Sequence, residues 1–592
     1  MDGTIQTLDL RKPSSSMISL RSTASTIFPN TNYFTAPSNY NMVAFTSNPC
    51  ISIRRAAAPR LMATSFVQRL KPVLRAARSP AKWNAVATSR GEATSLGFST
   101  NTIDDDQLWG VGSGRMSKIV CTIGPKTCAI NNMEKLADTG MDIVRLNMSH
   151  GTHEWHKSVI DNVREINAKG RFKLGILLDT KGPEVRSGDV KAPIKVKRGQ
   201  RFTWTIRKNV EEFDENTVDV SYDDFINDVH VGDTLLVDGG MSSFLCTEKT
   251  DTDVISECID GGVLTSRRHL NVRGKSASLP AITEKDWEDI KFGMDMNVDF
   301  YALSFVKHED DVARLKQYLR DNGCKALVLS KIESADAIHR LPQILNVSDG
   351  AMVARGDLGA EIPIEDVPLI QDEIVNINRN LRKPTIVATH MLESMITYPT
   401  PTRAEVADIT EAVRQGADAT MLSGETANGS YPYESLNVMA TVAKSVVSRD
   451  SAMSQNDLFS PVARSPDNET AQDSRLNLAY AASTLASRLN VAAIIVFTRV
   501  GTYAKLVAST RPRCPIVALT PDENLVRRLT LFWGVKPYHI DFSNDPEETI
   551  ARAINLLLEK GLTSSGDNVV ITSDMLVKDK NTVNTIQVRR VR

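Results

Sequence analysis

Paired cysteine is missing from this chain. Its seven cysteines (Cys50, Cys121, Cys128, Cys246, Cys258, Cys324 and Cys514) are scattered over 592 residues with no CxxC pair. That argues against a zinc site or a dense disulfide framework and fits buried or free thiols in a reducing compartment. No run of eighteen or more apolar residues occurs, so no transmembrane helix and no membrane partner are expected. The GxxxxGK[ST] phosphate loop is absent, which disfavours a P-loop kinase, and no GxGxxG follows the first strand-like run, which weakens an open dinucleotide-binding sheet. Acidic residues are absent between Asp9 and Glu92.

That last absence divides the charge unevenly. The formal net charge is only −1, yet residues 1–90 hold twelve of the 70 basic residues and just Asp2 and Asp9 of the 71 acidic ones. The remainder carries 58 basic against 69 acidic residues, so no nucleic-acid partner is expected. Residues 1–90 are rich in Ser, Thr, Ala and Arg, the composition of an organelle transit peptide without the apolar core of a secretory signal. Residues 1–62 are read as the transit peptide, with cleavage near Arg54–Met62, and 63–115 as a flexible lead-in. The Ser and Thr content favours the plastid stroma over the mitochondrion.

What is present, from Ser117 onward, is a rhythm of short β-branched runs, each followed by an amphipathic stretch. The runs are Lys118–Ile123, Asp142–Leu146, Lys173–Leu178, Asp299–Val306, Ala326–Ile332, Gly350–Ala354, Thr385–Ala388 and Ala419–Leu422, with helical patterns such as Asp310–Leu319 and Pro368–Leu381 between them. Eight apolar strands alternating with helices predict an α/β fold, a (β/α)8 TIM barrel spanning 116–182 and 281–450. The interruption, 183–280, is turn-rich and strand-like ("RFTWTI", "TVDVSY", "DTLLVDGG", "DVISECI") and reads as a small all-β domain hanging over the barrel mouth as a lid. Residues 451–592 begin with a polar stretch and continue as a C-terminal α/β domain. Its strands are expected at Ala492–Phe497, Pro515–Leu519, Asn568–Ile571 and Thr585–Val591, with helices at Leu476–Arg488 and Glu548–Lys560.

The chemistry-bearing residues lie at the carboxyl ends of the barrel strands, the catalytic face of this fold. Lys331 and Glu333 stand at i, i+2 on one strand end, and Arg355 and Asp357 are read the same way on the next. Two carboxylates and two cations are costly there unless a charged ligand binds. Glu333 and Asp357 suit a magnesium ion, which takes a few carboxylate oxygens and fills its shell with water and substrate. Two structural ion pairs, Glu333 with Lys331 and Asp357 with Arg355, explain the bare residues about equally well. Arg145, Asn147 and Ser149 share a face if their strand stays extended. With Asp179 and Thr180 they offer several oxygens and one formal negative charge, a set suited to a monovalent cation.

Long motifs in order along the chain resemble the pyruvate kinase family: "TIGPKT" (Thr122–Thr127), "RLNMSHG" (Arg145–Gly151), "LDTKGPEVRSG" (Leu178–Gly188), "SKIES", "MVARGDLGAEIP", "ATHMLESM" (Ala388–Met395), "PTRAEVADI" (Pro401–Ile409) and "MLSGETANG" (Met421–Gly429). The resemblance runs from about Ser117 to Arg592, and with the N-terminal extension it points to a plastid form, a beta-type subunit. It implies transfer of the phosphoryl group of phosphoenolpyruvate to ADP, with Mg2+ (Mn2+ as an alternative) on Glu333 and Asp357. It implies K+ on Asn147, Ser149, Asp179 and Thr180, with Glu184 tied to potassium dependence. Lys331 and Arg145 would stabilise the phosphoryl group, Gly356 and Asp357 would open a helix that receives the substrate carboxylate, and Thr389 would contact substrate or a water on the proton path. Ser423 and Glu425 fall in the proton-relay region, with the donor left open; His390 takes no role.

Pro125, Asn147, His150 and Arg186 match the family's nucleotide contacts. The lid departs from the family pattern at "HLNVRGKSASLP" and Asp238-Gly239, leaving Arg267 or Arg268 as the basic contact. The activator loop reads Thr498-Arg499-Val500-Gly501-Thr502-Tyr503, and "SDMLVKDKNTVNT" replaces the later loop, so fructose-bisphosphate activation is not expected. Homo-oligomers, or hetero-oligomers with related subunits, are expected. The rivals are a metal-dependent aldolase on the same barrel and a regulatory or partner-dependent subunit. The Lys331→Ala variant is expected to lose most turnover with little change in folding.

Overall fold

The computed structural model describes residues 115–592 apart from 209–213, 239, 275–278, 450–470 and 577–581. The expected transit peptide, all but the last residue of the lead-in, most of the polar stretch after 450, Gly239 and parts of the two divergent loops lie outside the described residues. No described helix is long and apolar enough to cross a membrane.

Eight parallel strands close into a barrel: β1 (Lys118–Thr122), β2 (Ile143–Asn147), β3 (Gly175–Asp179), β4 (Phe300–Leu303), β5 (Leu327–Ile332), β6 (Gly350–Ala354), β7 (Thr385–Ala388) and β8 (Ala419–Leu422). Each pairs with its neighbours in chain order, and β1 closes onto β8 through Lys118↔Ala419 to Cys121↔Leu422. The strands are continuous apolar runs because both faces are buried. Val120, Ile143, Leu177, Phe300, Leu329, Met352, Ile386 and Met421 belong to one buried cluster. Their neighbours Ile119, Val144, Leu178, Tyr301, Val328, Val353 and Val387 belong to another, packed with helix residues such as Met133, Ile160, Leu315 and Ile374. The two-residue period of a strand separates these layers. The expected strands match these to within a residue or two at most ends; β4 is shorter, because the chain after Leu303 turns sharply, with Phe305 at φ 50°.

The insert after β3 is a six-stranded sheet ordered Leu270–Val272, Thr234–Val237, Ser242–Lys249, Asp253–Asp260, Arg201–Thr205, Thr217–Asp219, plus the pair Ile194–Val196 and Gly262–Leu264. It also carries a one-turn helix, Phe225–Asp228. Its core rests on Phe202, Trp204 and Phe244, with ring centroids 5.0 to 5.4 Å apart. Such aromatic contacts give a domain this small much of its buried area.

The C-terminal domain has β9 (Ala493–Phe497), β10 (Ile516–Thr520), β11 (Val535–His539), β12 (Asn568–Leu576) and β13 (Thr582–Arg590) in the order β11-β10-β9-β12-β13. Its buried residues, among them Leu529, Leu531 and Phe532, join the cluster lining the barrel interior, so this domain seals the barrel's amino-terminal end. Sequence reading missed β11, which carries Pro537; proline is tolerated there because β11 is the edge strand.

Asp418 is the polar pin between the two. It lies 2.8 Å from Arg511 and accepts hydrogen bonds from the backbone N–H groups of Trp533 at 3.0 Å and Thr385 at 3.1 Å. Asp418→Ala would leave the buried Arg511 guanidinium without its counter-charge, a change worth about 3–5 kcal/mol. A fall in thermal unfolding midpoint with unaltered ligand affinities is the expected result; an unchanged midpoint would contradict this role.

Candidate active site

Strands β2, β3 and β5 bring four charged side chains into one buried network at their carboxyl ends. Arg145, near the end of β2, donates through Nε to Asp179 Oδ2 at 2.7 Å and through Nη1 to Thr122 Oγ1 at 2.9 Å. Lys331 Nζ, on β5, lies 3.2 Å from Asp179 Oδ1 and 3.2 Å from Glu333 Oε2. Two cations thus converge on Asp179, held in place by β2–β3 register, in which Asn147 pairs with Asp179.

A residue the sequence reading overlooked ties these groups together. Ser304, fully buried just past β4, accepts a hydrogen bond from Lys331 Nζ at 2.7 Å and donates to the Thr180 carbonyl at 2.6 Å. The next residue, Phe305, donates its backbone N–H to Glu333 Oε1 at 2.6 Å from a left-handed conformation. A serine one residue beyond an apolar barrel strand was the available signal, and serine is too common in loops for that signal to stand out. Glu333 Oε2 is buried with no donor aligned on it and faces the Lys331 ammonium alone.

The electrostatics follow from burial and pairing. Burial works against the Asp179 carboxylate, but Lys331 and Arg145 outweigh it and hold it below the usual carboxylate range. Burial also opposes the Lys331 charge, but Asp179 and Glu333 overcome it and keep the ammonium firmly protonated. Glu333 goes the other way: burial, reinforced by Asp357 and Asp179, raises it despite Lys331. A carboxylate that crowds other negative charge, with one buried oxygen lacking a donor, fits a divalent cation.

The strand picture fails at Arg355 and Asp357. The chain turns helical at Arg355, in the helix Arg355–Glu361, so the two do not share a strand face. Arg355 points to Asp408 at 2.7 Å and to the Thr389 carbonyl at 2.6 Å, so the alternative of a structural Arg355–Asp357 ion pair is not realised. Asp357 instead faces His269 of the insert, with Nδ1 to Oδ1 at 3.4 Å. Burial disfavours its charge, but His269 more than offsets this and keeps Asp357 below the ordinary range. His269 also sets its ring edge-on to Phe305, 5.9 Å between centroids, so the insert touches the barrel mouth at the site itself.

Thr389 follows β7 at φ 64° and His390 at φ 54°. Consecutive left-handed conformations in residues with side chains cost of order 1–3 kcal/mol each and persist only when their surroundings impose them. Arg355 imposes this one by clamping the Thr389 carbonyl. Thr389 Oγ1 accepts the Gly356 N–H at 2.7 Å, so the two predicted substrate contacts are in direct contact. Glu425 is taken up by the N–H groups of Leu392 at 3.0 Å and Ser423 at 2.7 Å, which makes it a clamp on the loop after β7.

The monovalent-cation candidates gather less completely. Strand β2 stops at Asn147, and Ser149 lies in the following turn, with its N–H on Asn147 Oδ1 at 3.2 Å, so the extended face ends at Asn147. The Thr180 hydroxyl accepts the Ser304 N–H at 3.0 Å. All four candidates supply hard oxygens, which suits an alkali cation. Among the nucleotide candidates, Pro125 and His150 are exposed after β1 and β2, and Arg186 is tied to Glu184 at 2.6 Å. Arg267 pairs with Asp189 on the surface at 2.8 Å and Arg268 with Asp238 at 3.1 Å.

Residues 114–436 match the family model described as pyruvate kinase, barrel domain, and residues 477–589 that of pyruvate kinase, alpha/beta domain. The chain is 51% identical over 486 residues to the chloroplastic pyruvate kinase isozyme G of Nicotiana tabacum, covering 81% of this chain and 84% of that protein. It is 50% identical over 503 residues to the chloroplastic plastidial pyruvate kinase 3 of Arabidopsis thaliana, covering 84% and 86%. A pyruvate kinase of Staphylococcus epidermidis is 38% identical over 480 residues, covering 81% and 80%. With two family domains matched in order and relatives aligned over most of their length, the chain belongs to the pyruvate kinase family.

Proposed function

We propose that this chain is a plastid pyruvate kinase that transfers the phosphoryl group of phosphoenolpyruvate to ADP, giving pyruvate and ATP. The observation that carries the reading is the buried Arg145–Asp179–Lys331–Glu333 network at the carboxyl end of the barrel. Phosphoryl transfer asks for fixed positive charge around the equatorial oxygens more than for covalent chemistry. Arg145 and Lys331, both held by Asp179, are preorganised cations of that kind. Substrate would take up their remaining donors and sit against Thr389 and the Gly356–Asp357 turn.

Glu333 and Asp357 would hold Mg2+, and Asn147, Ser149, Asp179 and Thr180 would hold K+. Bound there, these ions supply the positive charge that shields the carboxylate and phosphoryl oxygens of phosphoenolpyruvate. The insert would close over ADP, whose contacts are Pro125, Asn147, His150 and Arg186, and exclude the water that competes as acceptor. Residues 1–62 serve as the plastid transit peptide and 63–115 as a lead-in. The boundaries 116–182, 183–280, 281–450 and 451–592 divide the barrel, lid and C-terminal domain. Relatives named chloroplastic support the plastid location.

The test is pyruvate formation from phosphoenolpyruvate and ADP by the chain from Ala63 onward, with Mg2+, with and without K+. Potassium-stimulated turnover is expected, because Glu184 stands at the position tied to potassium dependence. Glu184→Lys should then retain turnover without K+. No turnover by the folded chain under either condition would favour the partner-dependent subunit instead.

A further inference from the structure

A second concentration of positive charge lies at the opposite end of the barrel. A cavity of about 470 Å³ is walled on one side by residues preceding β6 and β7 and on the other by the C-terminal domain. Among the described residues, Arg382, Lys383, Arg475 and Lys505 line it, against one carboxylate, Asp349. That carboxylate is already committed. Its Oδ1 lies 2.7 Å from Lys316 Nζ, and its Oδ2 accepts the Val328 N–H at 3.0 Å.

The cations are not all satisfied by protein. Arg382 Nε is buried with no hydrogen-bond partner. Lys505 is set over the Phe532 ring, 5.2 Å from its centroid. Burial weakens the Lys505 charge, Asp349 only partly supports it, and Arg528 and Lys316 weaken it further. Lys383 gives two of its protons to the carbonyls of Leu345 and Asn346, at 2.8 and 2.6 Å. Arg382 itself sits at φ 61°, a conformation in which a long side chain is uncommon and asparagine or glycine the ordinary choice. A buried guanidinium nitrogen without a partner is expensive, and an excess of cations around a water-sized or larger space is the complement of an anion. Thr502, at the first turn of the helix Thr502–Ser509, adds a hydroxyl to the same wall.

We propose that this cavity binds a small phosphate-bearing anion, inorganic phosphate or a phosphate monoester, between the barrel and the C-terminal domain. The anion would accept from Arg382 and Lys505 and reach the Thr502 hydroxyl, joining the two walls through one charge. The site is independent of the reading given above for the barrel mouth, because its residues come from the amino-terminal ends of the strands and the catalytic candidates from the carboxyl ends.

The test is calorimetric titration of the full chain with inorganic phosphate and, separately, with glycerol 3-phosphate. It is run on the parent, on Arg382→Asn, which suits the left-handed backbone, and on Lys505→Met, which keeps the packing on Phe532. Any phosphate bound at the barrel mouth is common to all three, so the difference reports the cavity alone. Each variant is expected to weaken one binding event by about tenfold or more, the loss of a charge-assisted hydrogen bond, for at least one of the two probes. Turnover at saturating substrate should be unchanged. Isotherms that coincide across the three proteins, or no binding of either probe by the parent, would overturn the proposal. Pyruvate formation measured on the same samples keeps this outcome separate from the reading of the active site.

Discussion

Replacing Lys331 by alanine is expected to lower turnover by roughly 10³-fold or more, the scale on which removing one fixed cation from a phosphoryl-transfer site acts. Lys331 Nζ is held within 3.2 Å of both Asp179 and Glu333 and by Ser304 at 2.7 Å. Nothing about its position is left to the moment of binding. Sequence alone led to the expectation that the fold would hardly notice its loss; the burial of its partners leads to the expectation of a measurable cost. Without Lys331, Asp179 keeps Arg145 at 2.7 Å but the buried Glu333 loses its cation, and the cost is about 3–5 kcal/mol, as for other buried pairs broken on one side. A double change, Lys331→Met with Glu333→Gln, removes one negative charge along with the cation. It should recover much of the lost stability and none of the activity. Steady-state turnover and thermal unfolding on the single and double variants check both halves. Near-normal turnover in a folded Lys331→Ala protein would remove the assigned role.

Glu333→Gln carries the second large effect. The substitution keeps the volume and an oxygen for the Phe305 N–H, which now reaches Oε1 at 2.6 Å. It takes away the charge on the buried oxygen that no donor satisfies. Divalent-ion affinity should fall by more than about 100-fold, beyond the loss usual for a residue that only supports a ligand. Turnover should fall by about 10³-fold even at raised Mg2+. Binding of Mn2+ followed by electron paramagnetic resonance reads the affinity directly. The fold should stay close to the parent's stability, because Lys331 keeps Asp179. Unaltered Mn2+ binding would show that Glu333 serves as a structural ion-pair partner of Lys331.

Much of this was legible in the chain, and for particular reasons. The β1 to β8 runs are buried on both faces, so their apolar composition marks them without tertiary knowledge, and Gly350–Ala354, Thr385–Ala388 and Ala419–Leu422 match residue for residue. Lys331 and Glu333 read correctly as neighbours because Lys331 lies on β5 and Glu333 only one residue past its end. Arg355 and Asp357 did not, because the backbone becomes helical at Arg355 and the period changes there from two to 3.6. His269 was invisible for another reason. It lies in sequence 88 residues from Asp357, inside a separate domain, and only closure of the insert onto the barrel mouth brings the two within 3.4 Å.

By itself, then, the sequence determined the barrel, the insertion, the C-terminal domain, and which ionisable residues stand at the strand ends. These depend on local periodicity and on the order of elements, which a linear chain carries in full. The tertiary structure alone decided that Ser304 and Phe305 hold Lys331 and Glu333, that Arg355 clamps the strained Thr389 carbonyl, and that Arg382 and Lys505 line one cavity from two domains. Those relations join residues distant in sequence through burial and hydrogen bonding, and no periodicity along the chain encodes them.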